Sequence, residues 1–253
     1  MNRLFIALAA LFLAVGCAPL PSKTSPKDVV SADQSIALFS TNPAGNLLPE
    51  HWLPLVLFRT KKPTQYQLVN ELDKKVLHAY APSASSGLMQ YVSINPFPAP
   101  WLNWEWKIGS MVATAESHLS ATEDSPARII LGFDGDKDSL SFSDQILFET
   151  ARLFTGYDFP YATLMYIWDD HTPVGTVLTS NRSGRIKMLV VANSAMGVGQ
   201  WQGFTRNIVE DFQKAFGEAP GKLIGVGVLT DTDNMGQTVE AWYGDLRLQR
   251  ERQ

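Results

Sequence analysis

Between Leu102 and Ile108 the chain alternates without a break. Leu102, Trp104, Trp106 and Ile108 fall on one side of a two-residue period, and Asn103, Glu105 and Lys107 on the other. Successive side chains of a strand point to opposite faces of a sheet. This pattern therefore describes a strand with one buried face and one wet face. It puts both tryptophans in a core and leaves the charged residues to solvent.

Other runs have the same character. They are Arg128–Phe133, Thr163–Trp168, Arg185–Ser194, Leu223–Leu229 and Glu240–Leu248, with QYQLV and KVLHAYA earlier in the chain. Their spacing and turn signals suit an antiparallel β-sandwich. Two segments have helical spacing instead. Asp144–Phe154 follows Ser143 as a cap. Asn207–Phe216 carries an apolar stripe of Ile208, Val209, Phe212, Ala215 and Phe216, with Gly217 at the C′ position and Pro220 beyond. The expected fold is mainly β, with these two short helical excursions packed against the sheets.

The start of the chain reads as an address. Arg3 precedes a short apolar run, Leu4 to Val15, too short and wrongly flanked for a stable membrane span. Ala14-Val15-Gly16-Cys17 resembles the bacterial lipoprotein box, in which the cysteine is acylated. Residues 1–16 are then a signal peptide, and Cys17 is the lipidation site. Ala18, rather than Asp, follows the cysteine, and by resemblance to enterobacterial lipoproteins this favours the outer membrane, facing the periplasm or the exterior. Residues 17–33 form the lipidated cysteine and a Pro/Ser/Lys-rich tether, and 34–253 a single domain. Cys17 is the chain's one cysteine, so no intrachain disulfide can form and the core alone must hold the fold. A net charge of −4 gives no basic field for nucleic acid.

FSTNPAGNLLPEHWLP, LNWEWKI, PARIILGFDGD, TLMYIWDD, QWQGFTRNIVEDFQKAFGEAP and LTDTDN…AWYGDL occur in this order. The ordered set resembles the bacterial domain-of-unknown-function family 3047 over nearly the whole mature chain. That family shows two acids before its Arg-bearing strand. Here Glu123-Asp124 stand there, followed by Ser125-Pro126, a partial match. The resemblance implies an exported protein with a sandwich of the jelly-roll kind, like those of carbohydrate-binding modules. It implies no activity.

Counting in twos assigns faces. Trp242 aligns with Leu246 and Leu248 and reads as core; Tyr243, Asp245 and Arg247 oppose it. Ile186, Met188, Val190 and Ala192 read as core, with Asn193 on the other side. A second face of one sheet then collects Arg128, Tyr166, Trp168, Asn193 and Tyr243, with Gly225 and Gly227 leaving space. Flat aromatics beside directional donors are what a glycan-binding face needs. The competing reading has the helices covering this face, the aromatics as a second core layer, and Arg128 as a structural ion-pair partner.

Conventional catalytic signatures are missing. The four histidines make no HExxH or close pair, there is no GxSxG, and neither glycine-rich stretch has a phosphate-loop context. Asp134–Asp138 reads as a solvated hairpin turn. Asp169-Asp170-His171 follows a strand, where Asp usually supports a turn and could instead serve glycoside chemistry. Asp231, Asp233 and Asn234 read first as a capped turn and second as a structural calcium site, since hard oxygen ligands at alternating positions suit that ion. No other cofactor is expected. The functional expectation is a cell-envelope lipoprotein that binds a glycan or envelope component without catalysis. The alternatives are a glycan-active hydrolase or lyase, and an assembly factor that binds protein.

Overall fold

The alternating segment is an eight-residue strand, Trp101–Ile108, in the computed structural model, which describes residues 35–45, 47–57, 60–112 and 123–252. The expected signal peptide, Cys17 and the tether lie outside the described residues. The strands are β1 (Leu53–Leu55), β2 (Gln65–Glu71), β3 (Lys74–Pro82), β4 (Ser85–Ile94), β5 (Trp101–Ile108), β6 (Ser125–Phe133), β7 (Ala162–Trp168), β8 (Val177–Thr179), β9 (Ile186–Ala192), β10 (Gln202–Asn207), β11 (Leu223–Asp231), β12 (Thr238–Tyr243) and β13 (Arg247–Gln249). Helix α1 spans Phe142–Thr155 and α2 Ile208–Phe216. The strands form a seven-stranded sheet in the order β1-β4-β11-β6-β7-β9-β8 and a six-stranded sheet in the order β10-β5-β12-β3-β2, with β13 beside β5.

The two sheets bury one core between them. Trp104 and Trp106 from β5 meet Tyr166 and Trp168 from β7 there. Trp104 is sandwiched between Tyr166 at 4.9 Å and Phe204 at 5.0 Å, both nearly parallel to it. The indole Nε1 atoms of Trp104, Trp106 and Trp168 have no hydrogen-bond partner, so apolar contact alone seats them. The central strands β6 and β7 are almost entirely buried on both faces. Ile167, Met188 and Val190 form a separate apolar cluster on the far side of the seven-stranded sheet.

Among the described strands every pair is antiparallel but one, since β7 runs parallel to β9. Parallel neighbours need a long connection, and residues 169–185 supply it, carrying β8, which folds back antiparallel on β9. The run expected as one strand, Glu240–Leu248, is broken into β12 and β13. Gly244 marks the break, because a Cβ there would sit 2.6 Å from Glu105 Cγ.

Asn207 caps α2 by accepting from the backbone N–H groups of Val209 and Glu210, and Gly217 ends it in the left-handed conformation at φ 75°. Its buried face sets Phe212 4.7 Å from Phe133. Helix α1 is capped by Ser141, not Ser143, and buries Phe148 while Phe142, Leu153 and Phe154 stay exposed. Asp134–Asp138 is not a hairpin turn. It leads from β6 into α1, with Asp136 accepting from the Asp138 N–H to cap a short 3-10 turn. No described helix is long and apolar enough to cross a membrane.

Candidate functional site

The five residues expected to line a ligand face do not share one. Tyr166, Trp168 and Tyr243 are buried in the core. The Tyr166 hydroxyl donates to Asp211 Oδ2 at 2.8 Å, and that of Tyr243 to the Leu229 carbonyl at 2.9 Å. Arg128 lies on the opposite face of β6, where its guanidinium donates to the Glu123 carbonyl and sits 3.7 Å from Asp231 Oδ2. Asn193 follows β9 and opens a 3-10 turn. The physical reason is that strands buried on both faces show no polar side, so period-two counting separates their faces without saying which is outside. Leu189 and Val191, not Met188 and Val190, join the main core for the same reason. The core-layer reading describes the aromatics, although the layer over them is mainly the other sheet, with α2 adding Ile208 and Phe212.

Trp242 is the complementary correction. Tyr243 pairs with Leu77 and Trp106, both fully buried, so Trp242 points outward from the six-stranded sheet. It stacks on His78 at 4.9 Å, and the Lys107 ammonium lies 4.1 Å from its centroid. Lys107 also reaches within 5.6 Å of Trp201, as Lys74 does within 5.3 Å. This outer face therefore carries two half-buried indoles among charged groups.

The charges on this face are paired. Lys74 donates to Glu105 at 2.7 Å and Lys107 to Glu71. His78 Nε2 lies 2.7 Å from Glu240 Oε2 and its Nδ1 3.3 Å from the Gln67 amide. Beside them a cleft of about 800 Å³ opens where β12 leaves β3, lined by Lys74, Asn103, Glu105, Gly203, Thr205 and Arg247. A Cβ added to Gly203 would meet nothing within 4 Å, so backbone is open to approach there. A second depression of about 440 Å³ lies over Gln65, Gln67, His78 and Tyr80. The signal for this face was present in the sequence, as the Asn103-Glu105-Lys107 side of the alternating strand.

The acids sort differently. Asp169 is buried, and its Oδ1 accepts from the His171 and Thr172 N–H groups at 2.9 and 2.7 Å, which is a turn cap. Asp231 and Asp233 come together with Asp124, which the sequence placed 107 residues before Asp231. One carboxylate oxygen from each of the three lies within 4.8 Å of the others. Asp124 is held by the backbone N–H groups of Asn234 at 3.2 Å and Met235 at 2.7 Å. Asp233 pairs with Lys61, whose ammonium also donates to Asn234 Oδ1 at 3.3 Å. Burial pushes the Asp231 carboxyl up to about 7; Arg128 opposes the shift, and Asp124 and Glu123 add to it.

Residues 50–247 match the family described as protein of unknown function (DUF3047). The chain belongs to this family. Among curated proteins none matches the sequence. Among solved structures, the chain is similar to a family 30 carbohydrate-binding module of a cellulosomal cellulase of Clostridium thermocellum, with TM-score 0.34 and 9% identity over 87% of this chain and 95% of that one. It is also similar to the xyloglucanase domain of a type three effector from Sinorhizobium fredii, with TM-score 0.43 and 6% identity over 84% of this chain and 99% of that one. The enzymatically active domain of a bacteriophage CBA120 tailspike protein matches at TM-score 0.34 and 6% identity over 79% of this chain, which spans 19% of that chain's length. Likeness at this level carries no ligand or activity across.

Proposed function

We propose that this protein is a non-catalytic glycan-binding module of the cell envelope, anchored by a lipid on Cys17 in the outer membrane, and that it binds its ligand on the outer face of the six-stranded sheet. The observation that carries this reading is the setting of Trp201 and Trp242 among paired charges beside an open cleft. Indole faces stack on the apolar faces of sugar rings, and fixed polar groups bond the hydroxyls. Glu105 pairs with Lys74 and Glu71 with Lys107, and Glu240 lies 2.7 Å from His78 Nε2, so the face offers oriented donors and acceptors. Neutral polysaccharide is the ligand class such a face suits. The same pairings engage the face's carboxylates, which favours binding over hydrolysis.

The test is affinity electrophoresis of the full-length protein in detergent against neutral and charged polysaccharides, with mass analysis of the recovered sugar. Retardation by a neutral glycan, recovered intact and lost in Trp242→Ala and Trp201→Ala, supports the reading. Shortened or unsaturated sugar means an enzyme. Retardation by no glycan, or equal retardation of both variants, rejects the outer face as the site.

A further inference from the structure

At the end of β11 three carboxylates from two distant segments face one another. Asp231 closes β11, Asp124 immediately precedes β6, and Asp233 follows two residues after Asp231. Asp124 is 1% exposed and Asp231 7%. Among the described residues, Asp231 Oδ1 is buried and accepts no hydrogen bond, although it belongs to a carboxylate whose neighbours are two further acids. A buried carboxylate oxygen without a donor is costly, and two neighbouring carboxylates make it more so.

We infer that Asp124, Asp231 and Asp233 form a calcium site that ties the end of β11 to the start of β6. Charge supports a divalent ion. Arg128 offsets one of the three acids, lying 3.7 Å from Asp231 Oδ2, and leaves two negative charges. Lys61 now offsets a second by pairing with Asp233, but its side chain is 37% exposed and free to swing into solvent. Glu123 is engaged elsewhere, by Arg182. Ligand chemistry supports calcium over magnesium, because calcium accepts irregular sets of carboxylate and amide oxygens whereas magnesium demands near-ideal octahedral geometry and keeps its waters. The three oxygens lie within 4.8 Å of one another, close enough to share one ion. Asp124 needs no reorganisation, since two backbone N–H groups already fix it.

This site is separate from the outer aromatic face, and its test reads metal alone. Full-length protein in detergent, stripped with a chelator, is titrated with calcium chloride and with magnesium chloride by calorimetry. The expected result is one calcium per chain with Kd at or below about 1 mM, with weaker magnesium binding. Asp231→Asn and Asp124→Asn should weaken calcium binding at least about tenfold. Lys61→Met removes the competing ammonium from an exposed position and should tighten calcium several-fold. A chain that takes up no calcium at 5 mM overturns the inference, as does calcium binding that Asp231→Asn and Lys61→Met leave unchanged. If the asparagine variants fail to fold, the Lys61→Met titration still decides, because a purely structural acid cluster predicts no calcium response in that variant.

Discussion

The Lys107 ammonium sits 4.1 Å from the Trp242 ring centroid and its stem is largely buried. Trp242 is one residue from Tyr243, which is fully buried on the other side of the same strand. Adjacent aromatics therefore separate two properties. Trp242→Ala and Trp201→Ala should weaken glycan binding about tenfold or more while shifting the melting temperature by only a few degrees. Trp106→Ala, at a fully buried position, should cost about 3–5 kcal/mol of stability. Chemical denaturation alongside affinity electrophoresis separates the two. Similar destabilisation in Trp242→Ala and Trp106→Ala would show that the outer indole is a structural element.

The same pair shows where the sequence was legible. Leu102–Ile108 lies where one face is wet, so its alternation named inner and outer residues correctly. The α2 boundaries were readable because Asn207, Gly217 and the apolar stripe are local signals. Strand β12 carries Val239, Ala241 and Tyr243 inward and Glu240 and Trp242 outward, and an outward tryptophan half-covered by lysine looks in sequence like a core residue. Strands β6 and β7 gave periodicity without orientation, because both of their faces are covered. The Asp124–Asp231 association is set by strand pairing between β6 and β11, which a local reading of either segment does not contain.

The Asp211 carboxylate joins α2 to both sheets. It accepts from the Tyr166 hydroxyl at 2.8 Å and from Arg206 Nε at 2.8 Å. Tyr166→Phe removes one donor while Arg206 still serves the acid, so the expected cost is about 1 kcal/mol. Asp211→Ala strands a fully buried phenol and releases a partly exposed guanidinium, and the expected cost is about 2–3 kcal/mol. Combining the two should cost less than the sum, because the phenylalanine no longer needs the acceptor. Urea denaturation of the cycle checks this, and strict additivity would show that the hydroxyl and the acid do not act together.

The two ends of α2 are independent. Asn207→Ala removes the side-chain acceptor that caps Val209 and Glu210, at an expected cost of about 1 kcal/mol. Gly217→Ala forces a Cβ into the left-handed region at φ 75°, at a similar cost of about 1 kcal/mol. The sites lie about 15 Å apart along the helix, so the double variant should lose about the sum. Thermal melts of the three variants measure it. An Asn207→Ala melt identical to wild type would mean that the chain entering from β10, not the cap, fixes the start of the helix.

Alkaline pH should unfold the domain through its buried phenols. Desolvation raises Tyr66, Tyr166 and Tyr243 above the ordinary tyrosine value, and pushes Tyr91 up to about 12. Above pH ~10 the unfolded chain releases these protons while the native chain keeps them. The unfolded state then binds fewer protons, so stability falls as pH rises, by about 1.4 kcal/mol per pH unit for each such tyrosine. The Tyr91 contribution levels off near pH 12. Below pH ~10 the four groups are protonated in both states and contribute no pH dependence. Tyrosinate absorbance and circular dichroism, followed together from pH 9 to 13, test this. The absorbance of the buried tyrosines should rise with the loss of β-sheet signal in one transition. Ionisation of all seven tyrosines before the sheet signal changes would show that Tyr66, Tyr166 and Tyr243 are open to solvent.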